Sequence, residues 1–177
     1  MDNDDWVPEA TRLAMERILD HAGKVGLANT EEFTFRAFFM AAAWELLDKP
    51  RFQTEWAKFD LLVQAGDTAS LIEFKYYLLR RNYHLDGTPG PKKGAAGTKN
   101  EAEFHACINK LRNSVLDGID ERRLVLVYER DDHVPGRGSR SLHSSYGQLA
   151  PSTSLARVWS FASGPLEARV LEPIPAM

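Results

Sequence analysis

The stretch Phe59-Asp60-Leu61-Leu62-Val63-Gln64-Ala65-Gly66-Asp67-Thr68-Ala69-Ser70-Leu71-Ile72-Glu73-Phe74-Lys75 decides how this chain is read. Aromatic and branched residues crowd the segments 55–64 and 70–79, as strands prefer. Gly66-Asp67 suits a two-residue hairpin turn, because glycine accepts the positive φ such turns need. With those two as the turn, residue 65 pairs with 68 and 64 with 69, and continuing the ladder sets Asp60 opposite Glu73. Side chains alternate faces along a strand. Asp60, Leu62, Glu73 and Lys75 are therefore expected on one face, and Phe59, Leu61, Val63, Ile72 and Phe74 on the other. Two carboxylates and an ammonium are drawn to one spot.

Directly opposed carboxylates repel each other, so Asp60→Ala is expected to leave the fold intact or more stable. A divalent cation reverses the sign of that repulsion. Mg²⁺ (or Mn²⁺) prefers hard oxygen ligands, and two carboxylates plus a backbone carbonyl make a partial shell for it. Such an ion activates water and neutralises charge on a phosphoryl oxygen, while a nearby lysine positions or deprotonates that water or steadies the phosphorane. The plainer explanation is a salt-bridged pair at a sheet edge, Lys75 neutralising Glu73 or Asp60.

Outward from the hairpin, Pro8 opens a helix over 8–24 carrying Leu13, Ile18 and Leu19, which ends near Gly23 and Gly26. Asn29 or Thr30 caps a second helix, with Phe33, Ala37, Met40, Trp44 and Leu47 at steps of three and four up to Pro50. Residues 82–99 read as a flexible loop rich in glycine and proline. Thr98 and Glu101 form a capping-box pattern ahead of the stripe Phe104, Ile108, Leu111 and Val115. Between Arg122 and Arg130 lies an apolar run suited to a strand covered on both faces. A second long loop, 131–154, holds His133, Arg137, Arg140 and His143, and strands near 156–162 and 166–172 flank Gly164-Pro165.

At Asp60 and Glu73-Phe74-Lys75 the sequence resembles the PD-(D/E)XK nuclease superfamily, the fold of many restriction endonucleases, junction resolvases and repair exonucleases. The order helix, strand, strand, helix, strand over about residues 29–131 matches most of that family's core. The resemblance implies an α/β fold, a mixed central sheet flanked by helices with a restriction endonuclease-like α-β-β-α-β core. It implies Asp60 and Glu73 as metal ligands, the Phe74 backbone carbonyl as a further one, and Lys75 as the catalytic lysine. Members often carry another acid on the preceding helix, for which Glu32 is the first choice and Glu45 the second. Phe59 stands where the family name has proline.

Charge sets the expected partners. The net charge of −3 argues against coating nucleic acid by bulk attraction. Arg80, Arg81, Lys92, Lys93 and Lys99 nonetheless outnumber Asp86 within 80–99, and Tyr76, Tyr77 and Tyr83 lie beside or among them. Bases interleaved with aromatics grip phosphates and stack unpaired bases.

The expected function is therefore a Mg²⁺-dependent nuclease acting on nucleic acid, DNA in the first instance. Two alternatives stand beside it: a catalytically inactive nuclease-like module docking on protein, and a hydrolase of small phosphorylated molecules. A homodimer or a larger defence or phage complex is an expected setting.

A single domain over 1–177 is expected, with an N-terminal helix and linker (1–28), the core (29–131), and a long loop with C-terminal strands (132–177). Cys107 has no disulfide partner and reads as a packed residue. Glu101 and His105 make only a weak zinc pair. No apolar run is long enough to cross a membrane, and the acidic start Met1-Asp2-Asn3-Asp4-Asp5 is unlike a basic leader, so the cytoplasm is the expected location. Phosphate-binding P-loop and serine-elbow patterns are missing from the sequence.

Overall fold

The computed structural model describes residues 6–93, 97–130 and 141–176, with the side chains of 80–83 and 90–93 outside that description. Two helices open the chain, α1 (Trp6–Val25) and α2 (Glu32–Leu46), joined through a 3-10 turn at Leu27–Asn29. Three antiparallel strands follow: β1 (Arg51–Trp56), β2 (Phe59–Ala65) and β3 (Thr68–Tyr77). A two-stranded ribbon, β4 (Arg80–Tyr83) with β5 (Pro89–Lys93), leads to α3 (Thr98–Arg112). Then come β6 (Glu121–Glu129), the short helix α4 (Leu142–Tyr146), β7 (Leu155–Ser163) and β8 (Leu166–Pro173).

The architecture is α/β, with one mixed six-stranded sheet in the order β1-β2-β3-β6-β8-β7. The β3–β6 pair is parallel, which requires a crossover, and α3 lies in that connection. Alternation along the strands sorts the core into two apolar clusters. Leu61, Val63, Ile72, Phe74, Val125 and Val127 pack towards α1 and α2. Leu62, Leu71, Leu124, Leu126 and Tyr128 pack towards α3 and α4. β3 is thus an interior strand covered on both faces.

The Gly66-Asp67 turn sets the β2–β3 register expected from sequence, with Ala65 opposite Thr68 and Leu61 opposite Ile72. Several local expectations are corrected. The run 55–64 is split by a second tight turn, where Ala57 and Lys58 both take positive φ (49° and 72°) between the paired Trp56 and Phe59. Phe59 packs with the α3-side cluster and not with Leu61 and Val63, because the chain leaves the β2–β3 ladder there.

The stripe expected on α2 is right only at Leu47, which is buried, and Met40, which is partly buried: the helix itself buries Phe35, Arg36, Phe39, Ala42 and Ala43, while Phe33 and Trp44 are 64% and 59% exposed. Apolar residues occur on every side of α2, so spacing alone does not choose the buried one. Glu31 is its N-cap, and Asn29 and Thr30 stay in the preceding turn. Gly97 caps α3 without a side-chain bond, and Val115 lies exposed beyond the helix end. Part of the expected loop 82–99 is the β4–β5 ribbon, whose ladder pairs Arg81 with Lys92 despite nearby prolines. The ladder shifts register between Arg81 and Tyr83. Arg137, Arg140 and His133 lie outside the described residues.

Candidate active site

The site forms where β2 parts from β3. The ladder stops at Leu61–Ile72, yet β3 runs on to Tyr77. Amides of Phe74 and Tyr76 on the β2 side of β3 then need acceptors other than a strand carbonyl. Asp60 supplies the first: its Oδ2 accepts the Phe74 N–H at 2.7 Å. Glu32, at the first turn of α2, accepts from the Tyr76 main-chain N–H. Asp60 is therefore not a ladder partner of Glu73; its carboxylate takes the place of the ladder. The Phe74 group that meets Asp60 is the N–H, while the carbonyl was the atom expected to serve the site.

Glu73 points to the α3 side and is 2% exposed. Its ion-pair partner is Lys110 of α3, in contact through Nζ and Oε1. The expected pairing with Lys75 does not occur, and β3 is not an edge strand. Lys75 has no ion-pair partner among the described residues, but Cys107, Glu32, Asp60 and Glu73 all act on it electrostatically. Glu32 and Asp60 likewise act on each other. Three acids from α2, β2 and β3 thus act on one lysine.

These contacts set the protonation of the cluster. Burial pushes the Glu73 carboxyl up to about 7; Lys110 opposes this and the Asp60 charge adds to it. Glu32 is also raised, chiefly by burial, with Lys75 opposing and Asp60 reinforcing. Burial works to discharge Lys75, but the surrounding Cys107 and carboxylates outweigh it and hold its pKa above the usual lysine value. Lys75 is thereby a fixed cation at neutral pH, fit to orient water or stabilise an anion and not to take a proton.

Two residues missed by sequence reading complete the site. Arg36 is buried on α2 and donates to Glu55 Oε1 at 2.6 Å and to the Asp60 carbonyl at 3.1 Å. One helical turn after Glu32, it looks in sequence like half of a surface pair. Lys110 reaches Glu73, the Lys58 carbonyl, and the Phe59 ring, whose centroid is 4.4 Å from Nζ. It flanks the buried α3 stripe, a weak signal, and its partner lies 37 residues away.

Of the two helix acids, Glu32 joins the cluster. Glu45 does not: it is exposed and paired with Arg17 at 2.5 Å on the outer side of α1 and α2. Lys99 is exposed, with Glu103 at 3.9 Å. Arg80, Arg81, Lys92 and Lys93 lie on the ribbon strands, but their side chains fall outside the described set. The ribbon begins at Arg80, five residues after Lys75.

The donors at the fork are carboxylate oxygens, which suit a hard divalent cation. Among the described residues no three His, Cys, Asp or Glu side chains form a ready metal-ligand group, and the Glu73 carboxylate is paired with the Lys110 ammonium. No described helix is long and apolar enough to cross a membrane. The chain matches no protein-family model, no curated protein and no solved structure.

Proposed function

We propose that this chain is a divalent-metal-dependent nuclease of the PD-(D/E)XK kind, hydrolysing phosphodiester bonds of nucleic acid, DNA first. The observation that carries the reading is the end of the β2–β3 ladder, where Asp60 and Glu32 take the open Phe74 and Tyr76 amides and, with Glu73, act electrostatically on Lys75. Three carboxylates set in or beside the sheet against the ammonium groups of Lys75 and Lys110 are costly unless a cation or substrate uses them. The element order α2, β2, β3, α3, β6, with β1 as first core strand, supports a restriction endonuclease-like core.

In this reading Asp60, Glu73 and Glu32 would hold Mg²⁺ or Mn²⁺, with the Phe74 carbonyl a further oxygen donor. The ion would supply an activated water and charge neutralisation at phosphorus. Lys75 orients that water and steadies the developing negative charge. Arg36 positions Asp60 by holding its carbonyl. The basic residues of the β4–β5 ribbon and Lys99 contact the phosphate backbone.

The test is cleavage of plasmid DNA, single-stranded DNA and RNA with Mg²⁺ or Mn²⁺, comparing the parent with Asp60→Asn and Lys75→Met. The expected result is metal-dependent cutting that falls about 100-fold or more in each variant. Undiminished cutting by Asp60→Asn contradicts the assignment.

A second reading, an inactive nuclease-like module that binds a protein partner, is favoured by the Lys110–Glu73 pair, which already neutralises one proposed ligand. It predicts no cutting of any of the three substrates and no change on adding metal.

A further inference from the structure

Lys110 has no role in the nuclease reading, on which this inference rests. Its ammonium meets the Glu73 carboxylate from β3, the Lys58 main-chain carbonyl from the β1–β2 turn, and the Phe59 ring at the start of β2. The carboxylate and carbonyl oxygens can bind an ammonium or a hard divalent ion, and the aromatic face favours the ammonium. Together they form a small cation cage.

The cage and its occupant differ in rigidity. Glu73 is sealed in an interior strand, and the Lys58 carbonyl is fixed by a turn with two residues in the left-handed region. The Lys110 side chain is 35% exposed and hangs on a flexible four-carbon stem from α3. It can therefore swing to solvent without disturbing a secondary-structure element.

We propose that Lys110 is the resident cation of this cage and gives up its place at Glu73 and the Lys58 carbonyl when a divalent ion loads. Once released, the ammonium is left beside the fork, available to an anionic substrate. Binding of metal alone is then weaker than the carboxylate cluster would give, because an ammonium must first be expelled. A phosphate-bearing ligand that pairs with the freed Lys110 strengthens it.

The experiment is Mn²⁺ titration of the full chain, followed by calorimetry and by the electron paramagnetic resonance signal of free Mn²⁺, at one pH and salt concentration. Lys110→Met and Lys110→Gln have no ammonium to expel, and each is expected to bind Mn²⁺ at least tenfold more tightly than the parent. Thermal unfolding checks each variant, and Lys110→Gln, which keeps a hydrogen-bond donor for Glu73, carries the comparison if Lys110→Met fails to fold. A parent that binds Mn²⁺ as well as or better than both variants overturns the displacement while leaving the metal site standing. No binding by any of the three overturns the metal-dependent reading and this inference with it.

Discussion

Two carboxylates are buried in the sheet, and their surroundings are opposite. Glu167 on β8 is 5% exposed and well supplied with donors: Tyr128 Oη at 2.5 Å, His143 Nδ1 at 2.8 Å and Arg169 at 3.6 Å. Burial alone would raise its pKa, but Tyr128, His143 and Arg169 overcome that and hold it below the usual value. Glu73 is at least as buried, and there burial, reinforced by the Asp60 charge, outweighs Lys110, so its pKa moves the other way, up to about 7. Glu167 is a locking element between β6, β8 and α4. Glu73 is held in a cluster whose charges are only partly balanced, the condition expected where stability has yielded to binding.

Removing one carboxylate charge from each region breaks this comparison most strongly. Glu167→Gln takes the countercharge from the buried Arg169 guanidinium, leaving it the Tyr146 and Gly147 carbonyls, and is expected to cost about 3 kcal/mol in urea unfolding. Glu73→Gln relieves repulsion with Asp60, and Lys110 can turn to water, so its expected cost is about 1 kcal/mol or less. Equal losses at the two sites would remove the distinction.

The pH dependence has opposite signs as well. The raised Glu73 favours the folded state most fully below its ordinary value of 4.5, and that contribution is lost as pH rises to about 7. The lowered Glu167 contributes above 4.5, and its part is lost as pH falls through its depressed folded value. Urea midpoints of the parent should therefore carry a decline between about pH 4.5 and 7 that Glu73→Gln lacks.

A smaller effect belongs to Asp60. Because its carboxylate satisfies the Phe74 amide, Asp60→Ala is expected to destabilise by about 1–2 kcal/mol, against the gain that repulsion alone suggests. Asp60→Asn keeps an acceptor there and should unfold within about 0.5 kcal/mol of the parent. Opposite in sign, Lys58→Gly should stabilise by up to about 1 kcal/mol, since a non-glycine residue at φ 72° is strained.

What could be read from sequence divides along similar lines. The hairpin register followed from Gly66-Asp67 because a two-residue turn fixes pairing locally. The apolar run between Arg122 and Arg130 announced β6 as a buried strand, and β8 was a short strand candidate at 166–172. Asp60, Glu73 and Lys75 were drawn together by that register, whereas Glu32 was named only through the family resemblance, as an acid opening the preceding helix. The point where the ladder ends was not legible, since it depends on the left-handed turn at Ala57-Lys58, where neither residue is the glycine that marks such turns. Nor was Lys110, whose partner is brought to it by a crossover. The buried phase of α2 was hidden by its aromatic residues on all sides.

The central claim, that the fork between β2 and β3 is a cation site, is tested most directly by unfolding with and without metal. With a dissociation constant near 1 mM, 10 mM Mg²⁺ or Mn²⁺ would add about 1.4 kcal/mol, or roughly 4 °C in Tm, to the parent. The account predicts that this rise appears in the parent and vanishes in Glu73→Gln and Asp60→Asn. No rise in the parent, or an equal rise in all three proteins, would contradict it.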